Sequence, residues 1–341
     1  MNTHELYMQR CIDLAKNGLG TTYPNPLVGS VIVYDGKIIG EGWHRKAGEP
    51  HAEVNAINSV KDKSLLKKAT IYVSLEPCSH FGKTPPCCDL IITHKIPNVV
   101  IGTVDPFAKV AGNGIKRLME SGANVTVGIL EDACNELNKR FFTFHQKKRP
   151  YIILKWAESK DGFIAPIHKN SKRPVWITNT YSRQLVHKWR TEEQAILVGT
   201  QTVLDDNPKL NARDFFGNNP IRIAIDNGNK ITDDFAIKDD TQETLFLTKN
   251  KNNTSKNSIF DSNFLENSLH ELYNHNIQAV IIEGGRTTLQ SFIDKNLWDE
   301  ARVFIGNNKL SDGITAPKLS YSPTKSLRFF EDELKLFRRY D

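Results

Sequence analysis

The sequence predicts two consecutive α/β domains, residues 1–147 and 148–341, from its length, its alternating hydrophobic patterns and one polar break. At 341 residues the chain exceeds what one hydrophobic core usually serves. In both halves, short β-branched strands alternate with amphipathic helical segments, which is typical of layered α/β folds. The run Gln146-Lys147-Lys148-Arg149-Pro150 interrupts this alternation, so the domain boundary is predicted there.

Hydrophobic periodicity and turn residues predict the individual elements. In the first half, helices are predicted over 4–16, 51–60, 87–94 and 131–144, and strands over 28–34, 70–74 and 98–103. In the second half, strands are predicted over 151–155, 195–198, 221–225, 244–247, 279–282 and 301–305. Residues 249–263 are rich in Asn, Lys and Ser, so they are predicted to form a solvated loop.

Composition excludes the disordered and membrane classes. Hydrophobic residues make up 39% of the chain and charged residues 25%, which is ordinary for a globular protein. The net charge of +6 is mild, so it fits an anionic small substrate as well as a nucleic acid. We find no export signal and no apolar run of membrane-spanning length. Five cysteines, an odd number, favour thiols or metal ligands in the reducing cytoplasm over a disulfide framework.

Four residues of the first half have the pattern of a catalytic zinc site. His51 and Glu53 open one predicted helix, Cys78 follows a predicted strand, and Cys87 opens another helix. One His and two thiolates form a zinc ligand set that leaves the fourth position to water. Glu53, two residues after His51, suits a carboxylate that shuttles a proton without binding the metal. This pattern predicts a zinc-dependent deaminase, whose signature is H-x-E followed by P-C-x-x-C.

The spacing of the two cysteines distinguishes one family among the zinc-dependent deaminases. Eight residues, rather than two, separate Cys78 from Cys87. The segment 77–87 resembles the bifunctional deaminase–reductases of riboflavin biosynthesis, in which this longer insert is normal. Segments 23–29, 42–44, 105–106 and 110–115 are also similar to that family, so the resemblance covers the whole first domain.

This resemblance implies a fold and a set of roles for the first domain. The implied fold is the cytidine-deaminase-like three-layer α/β/α arrangement. It also implies that His51, Cys78 and Cys87 bind Zn²⁺ and that Glu53 is the catalytic proton shuttle. Substrate contacts are expected from three further residues: Asn25, His44 and Lys83. Lys83 suits a phosphate because its ammonium is a mobile point charge.

Without a family resemblance, the motifs of the second half predict its function less specifically than those of the first half do. Residues 281–289 run from a strand into a helix through Gly284-Gly285, which by itself is ordinary turn chemistry. Segments 155–162, 176–178, 199–208 and 210–213, taken in order, resemble the reductase half of the same family. The resemblance extends from about residue 150 almost to the C-terminus and implies a dihydrofolate-reductase-like α/β fold.

The same resemblance implies an NADPH site and a substrate site. NADPH is expected to contact Ala157, Trp176, Thr178, Thr202, Asp206 and the turn formed by Gly285, Arg286, Thr287, Thr288, Leu289, Gln290 and Ser291. Substrate is expected to contact Arg190, Leu210, Arg213 and Glu283. Both arginines suit a phosphate, because a guanidinium can bond two phosphate oxygens at once. The chain departs from its relatives at Phe107, Pro174 and Lys230, where Asn, Ser and Arg are common, so contacts there are expected to differ.

The family resemblance implies two successive reactions on one small molecule. The first is hydrolytic deamination of 2,5-diamino-6-(5-phospho-ribosylamino)pyrimidin-4(3H)-one to 5-amino-6-(5-phosphoribosylamino)uracil. The second is the NADPH-dependent reduction of the ribosyl group to ribityl. The implied partner is therefore a phosphorylated pyrimidine, with neither a nucleic acid nor a membrane involved. Members of the family are often homo-oligomers, and the sequence leaves that state open.

Three alternatives remain at this stage. A structural zinc site would need a fourth protein ligand, for which His80 and Cys88 are the candidates. A nucleic-acid base deaminase shares the H-x-E core but needs a basic, often aromatic strand-binding surface. A zinc-stabilised binding protein would keep the metal without turnover, and a Glu53→Ala variant would separate this alternative from an active deaminase.

Overall fold

The computed structural model describes residues 2–81, 85–106, 112–168, 175–248 and 262–339. It divides the chain into two compact units, Met1–Lys148 and Arg149–Asp341. Across these described ranges, no helix combines the length and apolar character needed to cross a bilayer.

The first unit is built on one mixed sheet with the strand order β2-β1-β3-β4-β5. Its strands are β1 (Gly29–Tyr34), β2 (Lys37–Trp43), β3 (Thr70–Val73), β4 (Asn98–Ile101) and β5 (Asn124–Val127). Its helices are α1 (Thr3–Ala15), α2 (Ala52–Ser59), α3 (Cys87–Thr93), α4 (Asn113–Glu120), α5 (Glu131–Leu137) and α6 (Lys139–Lys147). Strand β1 pairs antiparallel with β2 and β3, whereas β3, β4 and β5 run parallel.

Helices cover both faces of this sheet. Successive residues of a strand point to opposite faces. Accordingly, Val31 packs in a buried cluster with Cys11 of α1 and Cys134 of α5. Its neighbour Ile32 packs in a separate cluster with Ile57 of α2 and residues of α3 and α4. The predicted three-layer α/β/α arrangement is confirmed.

The second unit is built on a longer sheet with the order β10-β9-β8-β11-β6-β12-β15-β14. Its strands are β6 (Tyr151–Glu158), β7 (Phe163–Ala165), β8 (Ala195–Gly199), β9 (Ile221–Ile225), β10 (Thr244–Leu247), β11 (Ala279–Gly284), β12 (Glu300–Ile305), β13 (Ile314–Thr315), β14 (Lys325–Phe329) and β15 (Asp332–Arg338). Its helices are α7 (Thr180–Glu192), α8 (Thr200–Asp206), α9 (Ser262–Asn274) and α10 (Arg286–Asp294). From β10 to β12 neighbouring strands are parallel, and β15 and β14 complete the sheet antiparallel.

Several elements of the structure were not among those predicted, and others differ in their bounds. The helix predicted over 131–144 is divided at Asn138, whose buried amide pairs with both backbone groups of Leu27 at 2.8 and 2.9 Å. The β14–β15 hairpin was not predicted, because β14 is largely exposed and lacks a hydrophobic alternation. Of the predicted loop over 249–263, residues 249–261 lie outside the described residues and α9 begins at Ser262.

One buried carboxylate ties the first strand of the second unit to β12. Asp299 accepts hydrogen bonds from the Ile152 backbone N–H at 2.8 Å and from both terminal nitrogens of Arg149 at 2.6 and 2.7 Å. We expect Asp299→Asn to lower the free energy of unfolding of this unit by about 2–4 kcal/mol, because the buried arginine loses its charged partner. Calorimetry would measure this loss, with the exposed Asp240→Asn as the matched control. Equal stability of the two variants would contradict the expectation.

Candidate active sites

Three potential metal ligands meet where two helices of the first unit begin. His51 is the N-cap residue of α2, Cys87 is the first residue of α3, and Cys78 lies in the segment that follows β3. The Cys78 and Cys87 sulfurs lie 3.7 and 3.3 Å from His51 Nδ1, and the three ligand atoms are all within 4.8 Å of one another. Tetrahedral donors around zinc are separated by about 3.6 Å at ordinary bond lengths. The donor set therefore fits a zinc ion.

The local electrostatics favour a thiolate at Cys78. Hydrogen bonds from the Cys87 thiol, from His51 and from the Cys87 backbone N–H lower the pKa of Cys78 to about 4. The bond to Cys78 in turn raises the pKa of His51 to about 9. The pKa of Cys87 is raised, first by its bond to the Cys78 thiolate and then by burial. These interactions favour the thiolate of Cys78, and thiolate is the form that binds metals.

Glu53 lies beside this cluster without belonging to its three donors. It occupies the first turn of α2, is 3% exposed, and its carboxyl group is hydrogen-bonded with the Cys87 thiol. Burial raises the pKa of Glu53 despite the opposing charge of His51. A buried carboxyl group with a raised pKa is suited to accept and return a proton near neutral pH.

The structure also brings together two of the predicted substrate contacts. The Asn25 side-chain nitrogen lies 3.0 Å from His44 Nε2, and the His44 ring lies 5.4 Å from the His51 ring. Because His44 Nδ1 donates to the carbonyl oxygen of Pro50, its Nε2 accepts from the Asn25 amide. Burial lowers the pKa of His44, so the imidazole is neutral. Lys83 and Phe107 lie outside the described residues.

Cys88, a possible fourth ligand, is directed elsewhere. Its thiol donates to the carbonyl oxygens of Pro77 and Gly114 at 3.3 and 3.6 Å. Burial raises the pKa of Cys88 to about 12, which disfavours the thiolate. In the part of the chain that the structure describes, the metal-binding cluster contains three side chains and does not include His80. A closed structural zinc site is therefore not what this geometry supports.

Glu76 is a second acidic residue of this site, and no role was predicted for it. Glu76, two residues before Cys78, is buried, and its carboxylate accepts hydrogen bonds from four backbone N–H groups. The donors, at 2.9 to 3.3 Å, are those of Asp105, Gly112, Gly114 and Ile115. Glu76 thus joins the segment carrying Cys78 to the start of α4.

We expect Glu76→Ala to lower the free energy of unfolding of the first unit by about 3 kcal/mol, because two buried and two partly buried N–H groups lose their acceptor. Glu76→Gln should lose less, since one amide oxygen can still accept. Chemical denaturation measures both effects, and the exposed Glu120→Ala is the control. A Glu76→Ala variant as stable as that control would show that the backbone groups find other partners.

The second candidate site lies at the carboxyl ends of two neighbouring parallel strands. Strands β8 and β11 lead directly into α8 and α10. A Cβ atom at Gly199 would lie 2.5 Å from the Thr288 hydroxyl, and one at Gly285 would lie 3.2 Å from the Thr202 hydroxyl. The backbone thus comes close to the neighbouring helix at both turns. No side chain caps α10, so its first N–H groups can receive a phosphate.

The structure places only some of the residues predicted to bind NADPH at these turns. The structure brings Thr202 of α8 together with the 285–291 turn, and it places Asp206 at the end of α8. Ala157 is on β6, the neighbour of β11. Trp176 and Thr178 are in the segment before α7, where the Trp176 ring is half exposed and packs 4.3 Å from the Arg183 guanidinium. Open parallel sheets bind dinucleotides at such strand ends.

A largely buried charge cluster lies next to this edge. Arg190 donates two hydrogen bonds to Glu283, at 3.0 and 2.7 Å, and a third to the Asn211 carbonyl oxygen at 2.9 Å. Lys155 Nζ lies 3.9 Å from the same carboxylate. Burial alone would raise the pKa of Glu283, but the Arg190 and Lys155 charges lower it to about 2. Burial lowers the pKa of Lys155.

This cluster includes predicted and unpredicted residues. Arg190 and Glu283 were predicted to contact substrate, and the bond to Asn211 places them next to the predicted Leu210 and Arg213. Lys155 was part of the segment that resembled the family, but no role was predicted for it. Two of the positions at which the chain departs from its relatives are in the second half. Lys230 is exposed, and its backbone N–H donates to Asp226. Pro174 lies outside the described residues.

Comparison with known proteins identifies both halves. Residues 1–103 match the cytidine and deoxycytidylate deaminase zinc-binding region, and residues 150–308 match the RibD C-terminal domain. The riboflavin biosynthesis protein RibD of Aquifex aeolicus is 39% identical over 98% of this chain and 93% of that protein. The corresponding protein of Escherichia coli is 37% identical over 95% of this chain and 90% of that protein.

Solved structures agree over the same length. A diaminohydroxyphosphoribosylaminopyrimidine deaminase/5-amino-6-(5-phosphoribosylamino)uracil reductase from Thermotoga maritima is similar with a TM-score of 0.87 and 36% identity, covering 98% of both chains. RibD of Acinetobacter baumannii gives a TM-score of 0.87 at 30% identity, covering 99% of both chains. The resemblance drawn from the motifs is confirmed. This chain belongs to the RibD family of riboflavin biosynthesis, whose members join a zinc-binding deaminase to an NADPH-dependent reductase.

Proposed function

We propose that residues 1–147 deaminate 2,5-diamino-6-(5-phospho-ribosylamino)pyrimidin-4(3H)-one and that residues 148–341 reduce the deaminated product. The Thermotoga maritima protein carries the name of these two activities. The observation that carries the proposal is the three-donor cluster of His51, Cys78 and Cys87 with the buried Glu53 beside it. A structural or binding role for zinc would not need a buried carboxyl group in this place.

In the deaminase, each residue has a role set by its position. His51, Cys78 and Cys87 would hold the zinc ion, which would supply the lowered pKa of the attacking water. Glu53 accepts a proton at its carboxylate from the attacking water and returns it to the departing amino group, so that ammonia leaves and a carbonyl remains. We assign Asn25 and His44, whose ring adjoins that of His51, to the pyrimidine, and Lys83 to the phosphate.

In the reductase, the chain binds and orients two ligands. Bound NADPH supplies the hydride. We assign its phosphates to the turn at residues 285–291 and its remaining contacts to Ala157, Trp176, Thr178, Thr202 and Asp206. The substrate ribose phosphate is assigned to Arg190 and Arg213, with Leu210 and Glu283 completing the site. Glu283 holds the guanidinium of Arg190 in place through two hydrogen bonds, which prepares Arg190 for a phosphate.

The substrate is a free small molecule, and the expected location of the chain is the cytoplasm. The zinc ligands Cys78 and Cys87 must stay reduced to bind the metal, which a reducing compartment ensures. Mild net charge gives no support to a nucleic-acid substrate. Enzymes of this family are often homo-oligomers, and light scattering of the purified chain would test whether this chain forms one.

Separate assays of the two half-reactions test the proposal. Zinc-loaded full chain should release ammonia from the diaminopyrimidinone phosphate in the absence of NADPH. The same chain should oxidise NADPH when given the deaminated product. Cys78→Ala should lose bound zinc and ammonia release but keep NADPH oxidation. Ammonia release that persists in a zinc-free Cys78→Ala variant would contradict the proposed deaminase site.

A further inference from the structure

A buried histidine of the second unit has no place in the reaction described above. His187 lies on α7, one turn before Arg190, and is 3% exposed. Its Nε2 lies 3.2 Å from an oxygen of Asp214. Among the described residues, its other ring nitrogen, Nδ1, is buried without a hydrogen-bond partner. Buried polar atoms without partners are rare because they are costly, so such an atom calls for a functional explanation.

The partner of His187 also faces an arginine of the substrate site. Asp214 lies 3.2 Å from His187 Nε2 through one oxygen and 4.0 Å from Arg213 Nε through the other. Both Asp214 and Arg213 are about half exposed, so this position is open to solvent. An imidazole N–H and a guanidinium are groups that bind phosphate oxygens as well as carboxylate oxygens. The Asp214 carboxylate therefore occupies a position built for an anion.

The interactions of the Asp214 carboxylate with His187 and Arg213 are weak. Burial, together with the charges of Arg190 and Arg213, lowers the pKa of His187 to about 4, so the imidazole is neutral near pH 7. The contact with Asp214 is then a hydrogen bond from a neutral group and not an ion pair. The exposed pair of Arg213 and Asp214, at 4.0 Å, contributes little. A dianionic phosphate can compete for both donors.

We propose that His187 joins Arg190 and Arg213 in binding the substrate phosphate, and that Asp214 occupies this position until the phosphate displaces it. The inference rests on the proposed reductase function, which supplies a ribose phosphate as ligand. In the structure, Arg190 already gives three hydrogen bonds to Glu283 and Asn211. Arg213 and His187 are therefore the groups from which a phosphate would draw most of its new contacts.

Binding of ribose 5-phosphate to the full chain, measured by titration calorimetry, tests the role of Asp214. Asp214→Asn removes a competing negative charge, so we expect binding about three- to tenfold tighter than in the unsubstituted chain. Asp233→Asn is the matched control. It removes the same negative charge at a residue that is fully exposed and belongs to neither site. Unchanged or weaker binding by Asp214→Asn would overturn the displacement and show that Asp214 serves to orient Arg213.

Two substitutions of His187 test the phosphate contact itself. His187→Leu keeps the bulk but removes the donor, so we expect about tenfold weaker binding of ribose 5-phosphate and no change for ribose. His187→Gln places an amide N–H near the position of Nε2 and should restore most of the affinity. Equal affinity in all three proteins, or equal losses for ribose and ribose 5-phosphate, would overturn the inference. If His187→Leu does not fold, His187→Met, which also lacks an N–H donor, replaces it, and Asp214→Asn still tests the displacement.

Failure of the phosphate-binding inference can be distinguished from failure of the proposed reductase function. Absence of ribose 5-phosphate binding to the unsubstituted chain would overturn the inference, whatever the enzyme turns over. The expected binding pattern without NADPH oxidation on the deaminated substrate would instead retain the anion site and overturn the assigned reaction.

Discussion

Replacing Glu53 by Gln is expected to lower the rate of deamination by about 10²–10⁴-fold, the usual contribution of a positioned general acid–base group. The amide has nearly the same shape but cannot accept and return a proton. Because Glu53 lies outside the three-donor cluster, the variant should keep its zinc. Ammonia release measures the rate and elemental analysis the metal content.

The exposed Glu120→Gln provides a matched control for this variant, and NADPH oxidation by the second unit should be equal in both proteins. A Glu53→Gln variant with full deaminase activity would remove the proton shuttle from the account. Loss of zinc in that variant would instead mean that Glu53 supports the metal.

Replacing Glu283 by Ala is expected to have the largest effect on the second unit. Glu283 is the carboxylate that faces both Arg190 and Lys155, each with less than 15% of its side chain exposed. Removing it leaves two buried cations close together, which should lower the free energy of unfolding by about 3–5 kcal/mol. Reductase activity should fall together with the stability of the second unit, while ammonia release by the first unit continues. Calorimetry and NADPH oxidation measure the two losses, with the exposed Glu266→Ala as the control.

The same carboxylate gives the second unit a characteristic response to acid. The pKa of Glu283 in the folded chain is about 2, below its ordinary value of 4.5. A lowered pKa means that ionised Glu283 stabilises the fold fully above pH 4.5, and that this stabilisation is lost as the pH falls towards 2. Glu283→Gln should lack this part of the pH dependence. An identical acid response in both proteins would show that Glu283 is not strongly coupled to its cationic neighbours.

The metal cluster could be predicted from sequence because its ligands stand at fixed local positions. His51 and Cys87 begin helices and Cys78 follows a strand, so local patterns alone locate them near one edge of the sheet. Short continuous apolar runs likewise predicted most strands of both units, since a strand that is buried on both faces is apolar along most of its length. The longer insert between the two cysteines then indicated which family of zinc deaminases the first unit resembles.

What could not be predicted depends on contacts between distant parts of the chain. Lys155 and Glu283 are 128 positions apart, and no local pattern indicates that their side chains meet. The four backbone groups that donate to Glu76 belong to residues 29 to 39 positions further on. His187 had no signal either, because a polar residue on a helix looks solvated until its neighbours are known. Such contacts are decided by packing, which periodicity does not encode.

The central claim is that one chain carries out deamination and then reduction. Mass spectrometry of the products formed from the diaminopyrimidinone phosphate by the zinc-loaded full chain, with and without NADPH, tests it most directly. We expect the deaminated ribosyl product without NADPH and the deaminated ribityl product with it. Deaminated product alone under both conditions would contradict the reductase assignment, and unchanged substrate under both would contradict the account as a whole.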